Sequence, residues 1–307
     1  MNLKPTPAIL GGLLAAQLLI VAVILAAQAG GVREPDPFLS FDADAADAVE
    51  VSNQDGSVRL AREGEQWTLE GGLPADDSKV TEMLDKLADA SGGWPVATSD
   101  ATAERFEVTE NSHQRRIRVG AGDDDLADIF LGTSPGYRRV HARHADGGDV
   151  YSIDFSNYEA GVKEGDWLER SLLRPEGSLS RIERTGEEAF TLTRTDDDVW
   201  EAGDAALDAD EVRTFVGRFT GLNVTGTFDG ELPEPATAKF QLTDDDGMQE
   251  LTLYEVGDDY VATSNRIAGQ FEVASYIAER MNVTLMDLMP EADEPEETTA
   301  PADPESP

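Results

Sequence analysis

The chain has 307 residues, with 62 acidic against 24 basic side chains, a formal charge of −38 and no cysteine. That balance argues against nucleic acid as a partner, because phosphate binding needs clustered cations, and the lack of cysteine excludes disulfides, thiolate metal sites and a cysteine lipid anchor. Only five of the bases are lysine, so the composition reads as a salt-adapted, solvated surface, the functional alternative being an acidic face that gathers cations or a basic partner.

The chain opens on a nearly continuous apolar run from Ala8 to Ala27, interrupted by Gln17. About 20 apolar residues match the roughly 30 Å hydrocarbon core of a bilayer, whereas the apolar part of a cleaved signal is about 7 to 15 residues. Residues 1–29 are therefore expected to be a retained, single-pass membrane anchor. The alternative is cleavage at the small-x-small pattern Ala27-Gln28-Ala29. Lys4 and the terminal amine precede the run, while Arg33 after it is followed at once by Glu34 and Asp36, a small bias that favours a cytoplasmic N-terminus. The expected location is the cytoplasmic (inner) membrane, with everything after about residue 30 on its periplasmic or extracytoplasmic side. Residues 30–47 read as a linker, with Gly and Pro concentrated between Gly30 and Pro37.

Next comes an internal repeat. VRLAREGEQWTLEGGLPADDSKVTEMLDKLADASGG around Trp67 aligns with FTLTRTDDDVWEAGDAALDADEVRTFVGRFTG around Trp200. Val80, Met83, Leu84 and Leu87 stand at helical spacing, and Val212, Phe215, Val216 and Phe219 repeat the pattern 132 residues later, predicting two equivalent amphipathic helices. Asp76, Asp77 or Ser78 would cap the first. Asp208 with Glu211 would open the second as a capping box, and Gly92 and Gly221 follow as stops.

Alternating apolar residues before each helix predict a hairpin: Val58, Leu60, Trp67 and Leu69 in one copy, Phe190, Leu192 and Trp200 in the other. After each helix, Ile117, Val119, Ile129, Leu131, Val140 and Val150, and then Phe240, Leu242, Leu251, Leu253, Tyr260, Phe271 and Val273, predict antiparallel meanders. The expected fold class is α+β: an N-terminal transmembrane helix, then two tandem copies of an antiparallel-sheet-plus-helix unit. The first copy is set at 48–155 and the second at 179–289. Between them, 156–178 with Trp167 would form a partly helical connector. Residues 290–307 carry seven acids, no base and no large apolar residue, so they are expected to be a disordered acidic tail. Trp67, Trp167 and Trp200 read as packing residues rather than ligand platforms.

An N-terminal membrane segment leads to Trp67-Thr68-Leu69 and to Pro74-Ala75-Asp76 ahead of the helix. Leu131-Gly132, Gly136-Tyr137-Arg138-Arg139-Val140, Val150-Tyr151-Ser152-Ile153 and Asp166-Trp167-Leu168 follow. This order resembles the exported domain-of-unknown-function 4340 family, from about Val49 to about Leu288. The resemblance implies a non-enzymatic, membrane-anchored accessory or scaffold of an envelope ABC-type transport system, with an ABC permease and auxiliary subunits as partners in the inner membrane. It carries no catalytic residues and no cofactor. The alternative is a free-standing extracytoplasmic binding module for an envelope polymer or small ligand, which a concave cleft lined by aromatics or arginines would favour.

The residues give little to an enzyme or metal reading. His141 and His144 would face opposite sides of a strand. Gly132-Thr133-Ser134-Pro135-Gly136 matches a hydrolase nucleophile elbow, but a strand pattern follows where that motif needs a helix, so a hairpin turn accounts for it. The runs Asp196-Asp197-Asp198 and Asp244-Asp245-Asp246-Gly247 lack the spaced ligands of a calcium loop and read as turns. No catalytic, cofactor or metal residue is assigned. One feature runs against the global charge: Arg115, Arg116 and Arg118, then Arg138, Arg139, His141 and Arg143, gather scarce cations within about 30 residues. Arg116, Arg118, Arg139, His141 and Arg143 form the candidate docking patch for an acidic partner, against the alternative of cross-strand pairing with the protein's own acids.

Overall fold

The computed structural model describes residues 12, 14–23 and 37–290. Residues 14–23 are helical, with Leu14, Leu18, Leu19, Ile20, Val21 and Val23 exposed. Among the described residues no helix is long and apolar enough to cross a membrane. The rest of the expected anchor, residues 30–36 of the expected linker and tail residues 291–307 lie outside the described residues.

The first repeat runs β1 (Ala48–Ser52), β2 (Ser57–Glu63), β3 (Gln66–Leu69), α1 (Asp77–Ala88), α2 (Asp100–Arg105), β4 (Val108–Thr109), β5 (Ser112–His113), β6 (Arg115–Ala121), β7 (Asp124–Leu131), β8 (Val140–His144) and β9 (Tyr151–Ile153). Seven of these strands form an antiparallel sheet in the order β3-β2-β1-β6-β7-β8-β9. Alternation fixes the register: Val49 pairs with Leu60 and Val119, Val51 with Val58 and Ile117, and all six are buried on one face. Helix α1 lies on that face. Asp76 caps it, its carboxylate accepting from Lys79 N at 3.0 Å, and Val80, Met83, Leu84 and Leu87 are buried, each worth about 1.5–3 kcal/mol of transfer free energy. On the opposite face, α2 and the β4–β5 hairpin cover β7 through a separate small core of Ala103, Val108, Phe130 and Val150.

The second repeat follows the same plan. It runs β10 (Arg181–Thr185), β11 (Phe190–Arg194), β12 (Trp200–Glu201), α3 (Ala209–Thr220), β13 (Val224–Thr227), β14 (Ala238–Asp244), β15 (Gly247–Val256), β16 (Asp259–Ser264), β17 (Phe271–Val273) and α4 (Ser275–Met281). Its eight strands order as β12-β11-β10-β14-β15-β16-β17-β13, the first sheet's order with β13 added at the far edge. Ile182 pairs with Leu192 and Leu242 as Val49 does with Leu60 and Val119. Asp208 caps α3 by accepting from Asp210 N and Glu211 N at 2.9 and 3.1 Å. The second repeat inserts no layer like α2–β4–β5: β13 follows α3 directly.

The connector binds both repeats. Its helical content is two 3-10 turns, Asn157–Glu159 and Glu164–Asp166. Between them Gly161 sits so close to Asp166 that a side chain there would collide with it. Trp167 is fully buried, donating from Nε1 to the Gly161 carbonyl at 2.9 Å. Leu168 bridges to Ala75 of the first repeat, and the Arg170 carbonyl accepts from Val224 N of the second at 2.9 Å. One contiguous apolar core therefore runs through both copies. Residues 37–46, read from sequence as linker, belong to that core, since Phe38, Leu39 and Ala46 are buried and a 3-10 turn at Ala43–Ala45 packs on α1.

Candidate binding site

Helix α3 and the edge strand β12 leave a cleft of about 570 Å³ between them. Its floor is apolar: Val212 and Val216 from α3, Leu207 from the turn before it, Leu179 just ahead of β10, and half-exposed Trp200. Its rim carries two cations, Arg194 from β11 and Arg213 from α3. Arg194 pairs with the exposed Asp198 at 2.9 Å and Arg213 pairs with the exposed Asp210. Asp198, Val199, Ala209 and Thr220 also line it, and Gly177 and Ser178 form one wall. Gly177 has φ +64, and a Cβ there would strike the Asp245 carboxylate, which accepts from Ser178 N at 2.8 Å. Glycine is thus required to bring this wall in. The size falls in the ordinary range for ligand sites.

The first repeat contains the same place in closed form. Trp67 pairs with Arg62 as Trp200 pairs with Arg194, and Thr81 and Leu84 occupy the helix positions of Arg213 and Val216. Arg62, Trp67, Thr81 and Leu84, together with Ala43 and Asp44, enclose only about 30 Å³, room for about one water. The 3-10 turn fills the rest, and Arg62 donates to the Asp44 carbonyl at 3.1 Å. Trp67 and Leu84 are accordingly buried, where Trp200 and Val216 are only half so.

The route of the chain explains the difference. In the first repeat Phe38 N is bonded to the carbonyl of Ala90 just past α1, and residues 38–47 lead from there into β1. In the second, Arg174 Nε is bonded at 2.9 Å to the carbonyl of Leu222, at the matching point past α3, and residues 174–180 lead into β10. The second path is three residues shorter and contains Pro175 and Gly177 in place of aromatics. What it omits is a stretch the length of the Ala43–Ala45 turn.

The sequence pattern did not single out this cleft. Arg194, Arg213, Leu179 and Leu207 come into view by laying one repeat on the other: before β10, Leu172, Leu173 and Leu179 pack into the core as Phe38, Leu39 and Ala46 do before β1, but nothing matches Phe41 and the Ala43–Ala45 turn.

The candidate docking patch lies in the first repeat, on the sheet face opposite α1. Arg116, Phe130 and Arg143 are register partners across β6, β7 and β8. Arg116 forks onto Asp128 at 2.8 and 2.7 Å, and its guanidinium lies 5.3 Å from the Phe130 ring centre. Burial pushes the Asp128 pKa up, but the Arg116 hydrogen bonds and charge, with Arg118 beside them, hold it below the usual range. Arg118 is 44% exposed and stands 3.6 Å from both Glu50 and Asp128. Arg143 reaches Asp100 at 2.7 Å and the Gly148 carbonyl at 2.9 Å, while Arg139 reaches Ser152 Oγ at 2.9 Å and the Ser152 carbonyl.

His141 is buried, stacked on Phe106 at 4.0 Å, with Nδ1 2.9 Å from Thr133 Oγ1. Burial lowers its pKa, opposed by hydrogen bonding to the Thr133 backbone. His144 points elsewhere, Nε2 lying 3.0 Å from the Phe38 carbonyl. Ser134 Oγ lies 2.7 and 2.6 Å from the carbonyls of Gly136 and Arg139, in the turn that leads to β8. Among the described residues no group of three or more His, Asp or Glu is placed to hold a metal ion. Asp244 of the second aspartate run is buried against Arg266.

A family described as "Domain of unknown function (DUF4340)" matches residues 67–244. That span takes in α1, the connector and the second repeat as far as the end of β14. No curated protein and no solved structure matches the chain.

Proposed function

The chain belongs to the domain of unknown function 4340 family, and from that premise we propose that it is a non-catalytic, membrane-anchored accessory subunit of an envelope ABC-type transport system, holding a partner in the cleft of its second repeat. One observation carries the recognition part: two copies of one framework, of which the first fills its helix-to-edge cleft with its own chain and the second leaves about 570 Å³ open. A cleft with an apolar floor, an aromatic wall and two guanidinium groups at its rim has the makings of a binding site. The apolar run from Ala8 to Ala27 supports the anchor. In the patch, Arg118 is exposed and has the longest ion-pair contacts, 3.6 Å to both Glu50 and Asp128, which suits it to exchange its own acids for a partner's.

The test is a mild-detergent pull-down of the full-length protein from its native membrane, with mass spectrometry of what accompanies it. Co-purification of an ABC permease and ATPase is the expected result. The same cleft favours the second reading, a free-standing module binding a glycan or small ligand. Recovery of such a ligand with no membrane partner would replace the first reading by that one.

A further inference from the structure

We propose that the cleft of the second repeat receives a short acidic peptide segment of a partner protein, bound as the first repeat binds residues 37–46 of this chain. The inference rests on the reading of the second repeat as a recognition element, and it names the chemistry of what is recognised.

The first repeat already holds an intramolecular counterpart of such a complex. Residues 37–46 run along α1 from its C-terminal end, where Pro37 bridges to Ser91, towards Trp67. Phe38 and Leu39 enter the core, and the Ala43–Ala45 turn fills the space between Thr81, Leu84 and Trp67, tied by Arg62 to the Asp44 carbonyl. The second repeat keeps the receiving groups, Arg194 for Arg62, Trp200 for Trp67 and Val216 for Leu84, while its own approach, residues 174–180, is three residues shorter and lacks the turn that fills the cleft. A peptide supplying small residues in a turn beside an apolar anchor restores the missing contacts. Arg194 then leaves the exposed Asp198, an ion pair worth little in water, for a backbone carbonyl in a drier place.

Charge decides which peptide. The second repeat replaces Thr81 by Arg213, so its rim has two guanidinium groups where the first has one. Both guanidinium groups are held by exposed acids of the chain, Asp198 and Asp210, in ion pairs worth little in water, so carboxylates of an acidic segment can exchange for them where a basic segment offers nothing to either arginine.

The probe is a fluorescent peptide of the sequence 37–47, PFLSFDADAAD, with photoreactive leucine at the position of Leu39, titrated into the full-length protein in detergent micelles. The expected result is saturable binding, with cross-links in residues 194–220. Val216→Trp, which fills the floor, should weaken binding at least tenfold, and Arg194→Ala about fivefold. Thermal melts of both variants, unchanged from the parent, show that they are folded.

Four results overturn the proposal: no saturable binding, cross-links confined to residues 62–88, an affinity indifferent to Val216→Trp, or equal binding of a scrambled basic peptide. A tenfold gain in affinity on deleting residues 291–307 would also do so, by making the chain's own tail the occupant. The two readings fail separately. A permease that co-purifies while the peptide does not bind removes this inference alone. Peptide binding with no transporter subunit recovered removes the transporter reading and leaves this one.

Discussion

Asp244 shows how one side chain shapes the cleft from outside it. Its carboxylate is wholly buried and accepts from Arg266 Nη1 and Nη2 at 2.5 and 2.7 Å, from Glu176 N at 2.8 Å and from Asp246 N at 3.0 Å. Glu176 immediately precedes the Gly177–Ser178 wall, so this pair fixes where the wall stands. Breaking a buried pair by removing one partner costs about 3–5 kcal/mol, and Asp244→Ala is expected to lose that much in denaturant titrations. The Arg266 hydrogen bonds hold the Asp244 pKa below the usual carboxylate range, against the upward push of burial. A folded-state pKa below the unfolded value means that the stabilisation is complete above about pH 4 and is lost as pH falls from there through the folded value. The parent should therefore lose stability below about pH 4 more steeply than the variant, and parallel curves would contradict the assignment. The aspartate run was legible in the sequence as a turn, but not its first member as a core ion, because the partner lies 22 residues on. Arg184 was equally hidden. It stands in β10 where β1 has Val51, buried between Phe190 and Phe240, and bonds the Val283 carbonyl and Asn282 Oδ1 past the end of α4.

At the scale of elements, the two helices and their sheets were legible because period and punctuation agree. Four apolar residues at helical spacing, an aspartate cap and alternation on either side specify the same unit twice. Two things were not legible. The layer of α2, β4 and β5 is made of elements of two to six residues, too short to show a period. The cleft depends on the length of the approach to each first strand, and residues 37–46 looked like linker because Pro and Asp surround Phe38, Leu39 and Phe41. The comparison of equivalent tryptophans tests this account. Trp67 is 3% exposed beneath the Ala43–Ala45 turn, so Trp67→Ala removes a packed indole and should cost about 3–5 kcal/mol. Trp200 is half-exposed at the open cleft, and Trp200→Ala should cost less than half as much while abolishing peptide binding. Equal losses from the two substitutions would mean that the cleft is closed in solution.

At the scale of the whole molecule, packing and charge oppose each other. The connector joins both repeats into one core, so the fold gains from burying two apolar faces against a shared centre. The surface then carries a net −38, with no disulfide to resist the self-repulsion. Ion pairing cannot cancel it: even with every base matched to an acid, 38 of the 62 carboxylates have no cation. Among the described residues most ion pairs have an exposed member, as at Arg194–Asp198 and Arg213–Asp210, and such pairs are each worth about 0–1 kcal/mol. Added salt weakens those few attractions and the far more numerous repulsions together, the screening length falling from about 10 Å at 0.1 M to about 3 Å at 1 M. Repulsion dominates the sum, so the melting temperature should rise by several degrees between low and molar potassium chloride. Chloride is the salt to use, since sulfate strengthens burial by exclusion from the surface and would raise the melt of a neutral protein as well. A melting temperature that stays level or falls across that range would show that the acids are already compensated, and the surface would then have to be read as a set of specific cation sites.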